Sequence, residues 1–144
     1  MQVSEIMTRD VKLANPRDTL RDIAQRMARN DIGFMPVGEG DHLVGMITDR
    51  DIVVRGVAQG MDGTARVSDV MSRDVKYCFE KEEIDDVILN MGDIQVRRLA
   101  VLNDDKRLTG VLSLADTAKE DRTTTGVGFS GVVRRGGSHT QANA

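Results

Sequence analysis

A single cysteine, Cys78, stands in the 144-residue sequence. No disulfide can therefore close within the chain, which fits a reducing cytoplasm. Long apolar runs are missing too: no window approaches the roughly 18 consecutive apolar residues that a membrane span needs. The opening MQVSEIMTRD has neither the basic nor the apolar region of a signal peptide. The expectation is a cytoplasmic protein that does not enter a membrane. Positive charge is not in excess. A formal net charge of −3 speaks against general nucleic-acid binding, which needs a basic surface to neutralise phosphates. Histidine is scarce, with His42 in a turn and His139 near the end, and no Ser, His and acid set stands at a recognisable spacing. Zinc-ligand spacing and Gly-rich phosphate loops are also lacking. Nothing here asks for a catalytic residue, a catalytic cofactor or a metal, so the expectation is a protein that is not an enzyme.

What the chain does have is a repetition. VSEIMTRDVK at residues 3–12 returns as VSDVMSRDVK at 67–76, with seven of ten positions identical and the rest exchanged conservatively. The 64-residue offset continues. Leu20, Ile23, Ala24 and Met27 fall at i, i+3, i+4 and i+7, one apolar stripe of a helix, and Ile84, Val87, Ile88 and Met91 repeat it. Short strand-like pieces precede the helices, VKLA at 11–14 and VKYCF at 75–79. Two apolar runs follow each helix: GFMPV (33–37) with HLVGMIT (42–48), and RRLAV (97–101) with RLTGVLS (107–113). Their connections GEGD and NDDK carry hairpin-turn residues. A closing helix then starts at TDRDIVVRGVAQ and at SLADTAKE. Each repeat therefore reads strand, helix, strand, strand, helix, an α+β pattern.

Neither repeat of about 60 residues would bury enough apolar surface alone. Two copies sharing one core make a pseudo-twofold module, with repeat 1 at 1–62 and repeat 2 at 63–122. The eight methionines read as core filler, and Cys78, aligned with Ala14, reads as a small buried core position. Residues 123–144 hold five of the fourteen glycines and almost no helical or alternating pattern. They are expected to form a flexible tail, the sharper alternative being that VGFSGVV docks along a neighbouring subunit.

The recurring polar signal is GMITDRD at 45–51 and GVLSLAD at 110–116. Thr48 with Asp51, and Ser113 with Asp116, are each spaced as a capping box at a helix start. The alternative is that the same hydroxyl and carboxylate face a cleft and bind a sugar. Spacing leaves both open.

The opening V-S-[ED]-[IV]-M-[TS], the Met-ended helix, GFMPV and the G-x-x-T-x-x-D ending together resemble a CBS domain (cystathionine β-synthase domain), present twice over about residues 1–120. The resemblance implies a pseudo-symmetric pair with central sheets, two such modules joining into a disc-shaped homodimer. It also implies clefts between repeats that hold AMP, ADP, ATP or S-adenosylmethionine. Carried over by motif, it places ribose hydroxyls on Asp51 and Asp116 with Thr48 and Ser113 close by. An ionised Asp suits that task because it accepts from both cis hydroxyls. The basic residue that the family sets before its LPV strand corresponds to Arg97 and Arg98, with Ala100 departing from the usual Pro. The equivalent Gly33 and Phe34 carry no charge. In pairs resembling this one, Asp51 would work with Arg97 and Arg98, making that site the one for a phosphorylated ligand, AMP first among them. The function implied is a stand-alone regulatory module, a stress or energy sensor acting on an unidentified partner protein. The alternative is a dimeric scaffold with vestigial clefts.

Overall fold

Leu20, Ile23 and Met27 are buried along one face of the helix Leu20–Asn30 (α1), as their spacing predicts. Ala24, the fourth member of the stripe, stays exposed. The Thr19 hydroxyl caps the helix by accepting from the Asp22 N–H at 3.2 Å, and Asp31 ends it in the left-handed region at φ 53°. The chain then forms the antiparallel hairpin of Phe34–Glu39 (β1) and His42–Thr48 (β2), with Phe34 opposite Thr48. These observations come from a computed structural model, which describes residues 1–40, 42–120 and 123–134. Asp41 of the GEGD turn lies outside the described residues.

Two departures from the expected pattern belong to this repeat. The VKLA piece is not a strand: only Ala14 pairs, by a parallel bridge to Val37. The closing segment is not an α-helix either. Asp51–Gly56 winds as a π-helix, and Val57–Gln59 tightens into a 3₁₀ turn that Gly60 ends at φ 90°. A short helix, Val67–Val70 (α2), adds Val67 and Val70 to the core of Ala14, Leu20, Ile23, Met27, Met35, Val37, Ile47 and Met71. Residues 12–75 make up this compact unit.

The other unit contains residues 1–11 and the described residues from Lys76 to Arg134. Its sheet runs Tyr77–Phe79 (β3), Arg98–Leu102 (β4) and Leu108–Ser113 (β5) in spatial order β3-β4-β5, between which lies the helix Ile84–Ile94 (α3) in sequence. The β3–β4 pair is parallel and the β4–β5 pair antiparallel. In the NDDK turn the Asn103 side chain accepts from the N–H groups of Asp105 and Arg107, at 2.9 and 3.0 Å. Leu114–Ala118 (α4) closes the repeat. The core unites Val3 and Met7 with Cys78, Ile84, Val87, Ile88, Met91, Leu99, Val101, Leu112 and Leu114. Burial, with Glu82 nearby, pushes the Cys78 thiol up to about 12, as suits a core position.

The duplicated opening motif now finds its place. Thr8 and Val111 exchange two backbone hydrogen bonds of 2.9 Å, and Ser72 and Met46 exchange two of 2.8 and 2.9 Å. Each Met-[TS] segment thus lines the strand of the repeat to which it does not belong in sequence. The glycine of each G-x-x-[TS]-x-x-D motif makes room for it. A Cβ on Gly45 would lie 2.8 Å from the Ser72 carbonyl oxygen, and one on Gly110 would lie 2.7 Å from Met7 Sδ and 2.8 Å from the Thr8 oxygen.

The reading of the Gly-rich end as a flexible tail is corrected over Thr123–Val133, which form a helix (α5). It lies on α3 of its own chain. Glycine makes that approach possible: a Cβ on Gly131 would sit 2.7 Å from the Gly92 carbonyl oxygen, and one on Gly92 would sit 3.0 Å from that of Gly128. Gln95 Nε2 donates to the carbonyls of Gly131, at 3.0 Å, and Arg134. Thr125 donates to the Thr117 hydroxyl at 2.9 Å. Residues 135–144, including Arg135 and His139, lie outside the described residues. Among the described residues no helix is long and apolar enough to cross a membrane.

Candidate functional site

Thr48 ends β2, and the backbone turns directly into the π-helix that begins at Asp51. The Asp51 N–H donates to Thr48 Oγ1 at 3.0 Å, and Asp51 Oδ2 accepts from the Thr48 N–H at 2.9 Å. Ser113 and Asp116 repeat this at the start of α4. Asp116 N–H donates to Ser113 Oγ at 3.1 Å, and Asp116 Oδ2 accepts from the Ser113 N–H at 3.0 Å. Both motifs are therefore reciprocal caps, which satisfy two orphan backbone donors each.

The caps differ in what is left over. Asp51 is 1% exposed, and its second oxygen, Oδ1, has no hydrogen-bond partner among the described residues. Arg55, one helical turn on, sets its Nη1 3.7 Å from this oxygen. That is an ion pair without the short contact that would satisfy the oxygen. Leaving a buried acceptor unpaired costs about 1–3 kcal/mol, more for a charged one, so Asp51 Oδ1 is an acceptor in want of a donor. Asp116 is only half-buried, and Glu120 occupies the position four residues on, where Arg55 stands in the first repeat.

Arg97 and Arg98 stand beside the second cap. Arg98 is opposite Ser113 in the β4–β5 register, and the Arg97 carbonyl accepts from the Leu114 N–H at 3.0 Å. Both side chains are exposed. In the first repeat Phe34 is opposite Thr48, and the Gly33 carbonyl accepts from the Asp49 N–H at 2.9 Å. A Cβ on Gly33 would lie 2.7 Å from Asp49 Oδ2. The first hairpin thus begins under a carboxylate, whereas the second begins with two guanidinium groups. One unit brings together Arg97, Arg98, Ser113 and Asp116, and the other holds Thr48 and Asp51.

Sequence reasoning missed two residues here. Asp49 was visible inside TDRD, but only the fold sets its carboxylate over Gly33. Phe129 lies in the VGFSGVV stretch, whose alternative reading was docking on a neighbouring subunit; α5 carries its ring beneath Arg97 of the same chain, whose guanidinium carbon is 5.7 Å from the ring centroid.

A family model for the CBS domain matches the chain twice, over residues 3–56 and 67–122. The CBS domain-containing protein YhcV of Bacillus subtilis is 37% identical over 116 residues, 81% of this chain and 82% of that one. The crystal structure of Hypoxic Response Protein I with two coordinated zinc ions superposes with a TM-score of 0.74 at 35% identity, covering 83% of this chain and 98% of that one. Among the described residues no group of three or more His, Cys, Asp or Glu side chains could hold a metal ion. The crystal structure of CBSX2 in complex with AMP has the same fold, with a TM-score of 0.73 at 18% identity over 83% of this chain and 95% of that one.

Proposed function

The chain belongs to the CBS domain family, and from that premise we propose that it is a regulatory module that takes an adenine nucleotide, AMP in the first instance, and passes its presence to a partner protein. The observation that carries this reading is the buried Asp51 Oδ1, which accepts no hydrogen bond among the described residues. A ribose offers two adjacent hydroxyl donors, which is what a fixed, desolvated carboxylate oxygen lacks. Asp116 and its Ser113 cap are the corresponding ribose group of the second repeat, with Thr48 and Ser113 alongside. Arg97 and Arg98 supply the cationic donors for a phosphate. Support for an adenosine ligand also comes from the AMP held by CBSX2, which shares the fold. The ligand acts on the partner by favouring one conformation of the chain, and only to the extent of its affinity difference between conformations.

Calorimetry with AMP and adenosine tests this. Charged hydrogen bonds contribute roughly 1.5–3 kcal/mol each, or about one to two decades in affinity. Asp51→Ala is expected to weaken both ligands by that amount, and Arg98→Ala to weaken AMP far more than adenosine. Equal losses for the two ligands in Arg98→Ala would remove the arginine from phosphate recognition. No thermal shift with any adenine compound at millimolar concentration would reject the ligand altogether, because a ligand of the folded state must stabilise it.

A second reading has an observation of its own. Both motifs are complete as backbone caps, and Val53 and Val57 of the first repeat are 59% and 62% exposed. An apolar face of that kind suits a homodimer, which we propose for the nucleotide-binding module and which would be the whole function of a scaffold.

A further inference from the structure

Beyond the matched residues 67–122, α5 does something the repeats do not need: it places an aromatic ring against a cation of the proposed ligand site. Resting on the reading of Arg97 as a phosphate donor, we propose that Phe129 is a positioning residue that holds the Arg97 guanidinium ready for the phosphate of a nucleotide.

The helix that carries Phe129 is fixed along its length. Thr124 donates to Asp85 Oδ1 at 3.0 Å and Thr125 to the Thr117 hydroxyl at 2.9 Å near its start. Gly128 and Gly131 meet Gly92 at its centre, and Gln95 holds the carbonyls of Gly131 and Arg134 at its end. The Phe129 ring is consequently a placed surface rather than a loose one, although it is 49% exposed. Arg97 lies over it at 5.7 Å. Attraction to the ring comes from its quadrupole and consumes no N–H donor. Among the described residues the Arg97 side chain makes no hydrogen bond, so all five N–H groups remain available to phosphate oxygens. An exposed arginine otherwise spreads over many rotamers, and ordering it is a cost that each bound phosphate must overcome. The ring removes part of that cost before the ligand arrives. Repeat 1 has no counterpart, since Gly33 carries no side chain to hold.

Calorimetry of AMP and adenosine against Phe129→Leu, Phe129→Tyr and Arg97→Ala chains tests the proposal. Leucine keeps apolar bulk without a ring face, whereas tyrosine keeps the face. The expected result is AMP affinity reduced roughly two- to five-fold in Phe129→Leu, restored in Phe129→Tyr, with adenosine affinity unchanged in both. A loss in Arg97→Ala without one in Phe129→Leu would overturn the positioning role and leave the nucleotide reading standing. Equal losses for AMP and adenosine in Phe129→Leu would make Phe129 a merely structural residue and overturn it likewise. Wild-type AMP affinity in Arg97→Ala, or no AMP binding by the wild-type chain, would overturn the phosphate reading and this proposal together.

Discussion

The glycines of the two G-x-x-[TS]-x-x-D motifs show how one missing atom can carry a fold. Gly45 and Gly110 stand in ordinary strand positions, where glycine weakens a strand. What requires them is the backbone lying across them, Met71–Ser72 on one and Met7–Thr8 on the other. Alanine at either place must push backbone as well as a methionine sulfur aside. We expect Gly45→Ala and Gly110→Ala each to destabilise the protein by about 1–3 kcal/mol, measured by urea denaturation. A neutral result at both positions would show that the segment yields without cost. The carboxylates of the same motifs were legible from spacing because a cap is local, four residues long, and both caps form at that spacing. The unequal fates of Asp51 and Asp116 were not legible. They depend on burial and on whether residue i+4 is Arg55 or Glu120, and so on the way each helix meets its own core.

At the scale of elements, α1 and α3 follow their apolar spacing, because a stripe at i, i+3, i+4 and i+7 has one sensible use. Three other elements escaped. The π-helix at Asp51–Gly56 has no sequence period of its own, so a helical pattern there reads as an ordinary helix. VKLA shrank to a single bridge at Ala14. Helix α5 looked like a tail because Gly126, Gly128 and Gly131 each disfavour a helix by about 1 kcal/mol relative to Ala. Its stability comes from tertiary contact, in which Gly128 and Gly131 are the means of approach to Gly92. Removing residues 123–144 should therefore leave the β3-β4-β5 sheet folded but not at full stability. The buried Thr117 hydroxyl loses the donor that Thr125 supplies, and Val132 leaves the core cluster. A loss of about 1–2 kcal/mol corresponds to a melting temperature about 3–8 °C lower, read by circular dichroism. An unchanged melting curve would mean that α5 contributes nothing to the fold.

For the molecule as a whole, the exposed valines of the first repeat give the sharpest expectation. Val53 and Val57 project from consecutive helical turns with more than half their surface in water. Light scattering at micromolar concentration should give a mass about twice 15.8 kDa, and a Val53→Asp, Val57→Asp chain should fall to a mass near 15.8 kDa with its melting behaviour kept. A wild-type chain already at the lower mass would remove the homodimer.

The crossing of the two opening segments bears on how such a chain could arise. Residues 1–66 taken alone would own a groove at Gly45 with no Met71–Ser72 to fill it, and a Met7–Thr8 segment with no Gly110 to receive it. Two such halves could satisfy each other reciprocally, each lending its leading segment to the other. A lone repeat is in that sense half of an association that depends on concentration. Joining two copies head to tail turns the second encounter into an intramolecular one, at an effective concentration on the order of millimolar. A tandem chain thus holds in one polypeptide a partnership that two separate repeats would have to find by diffusion.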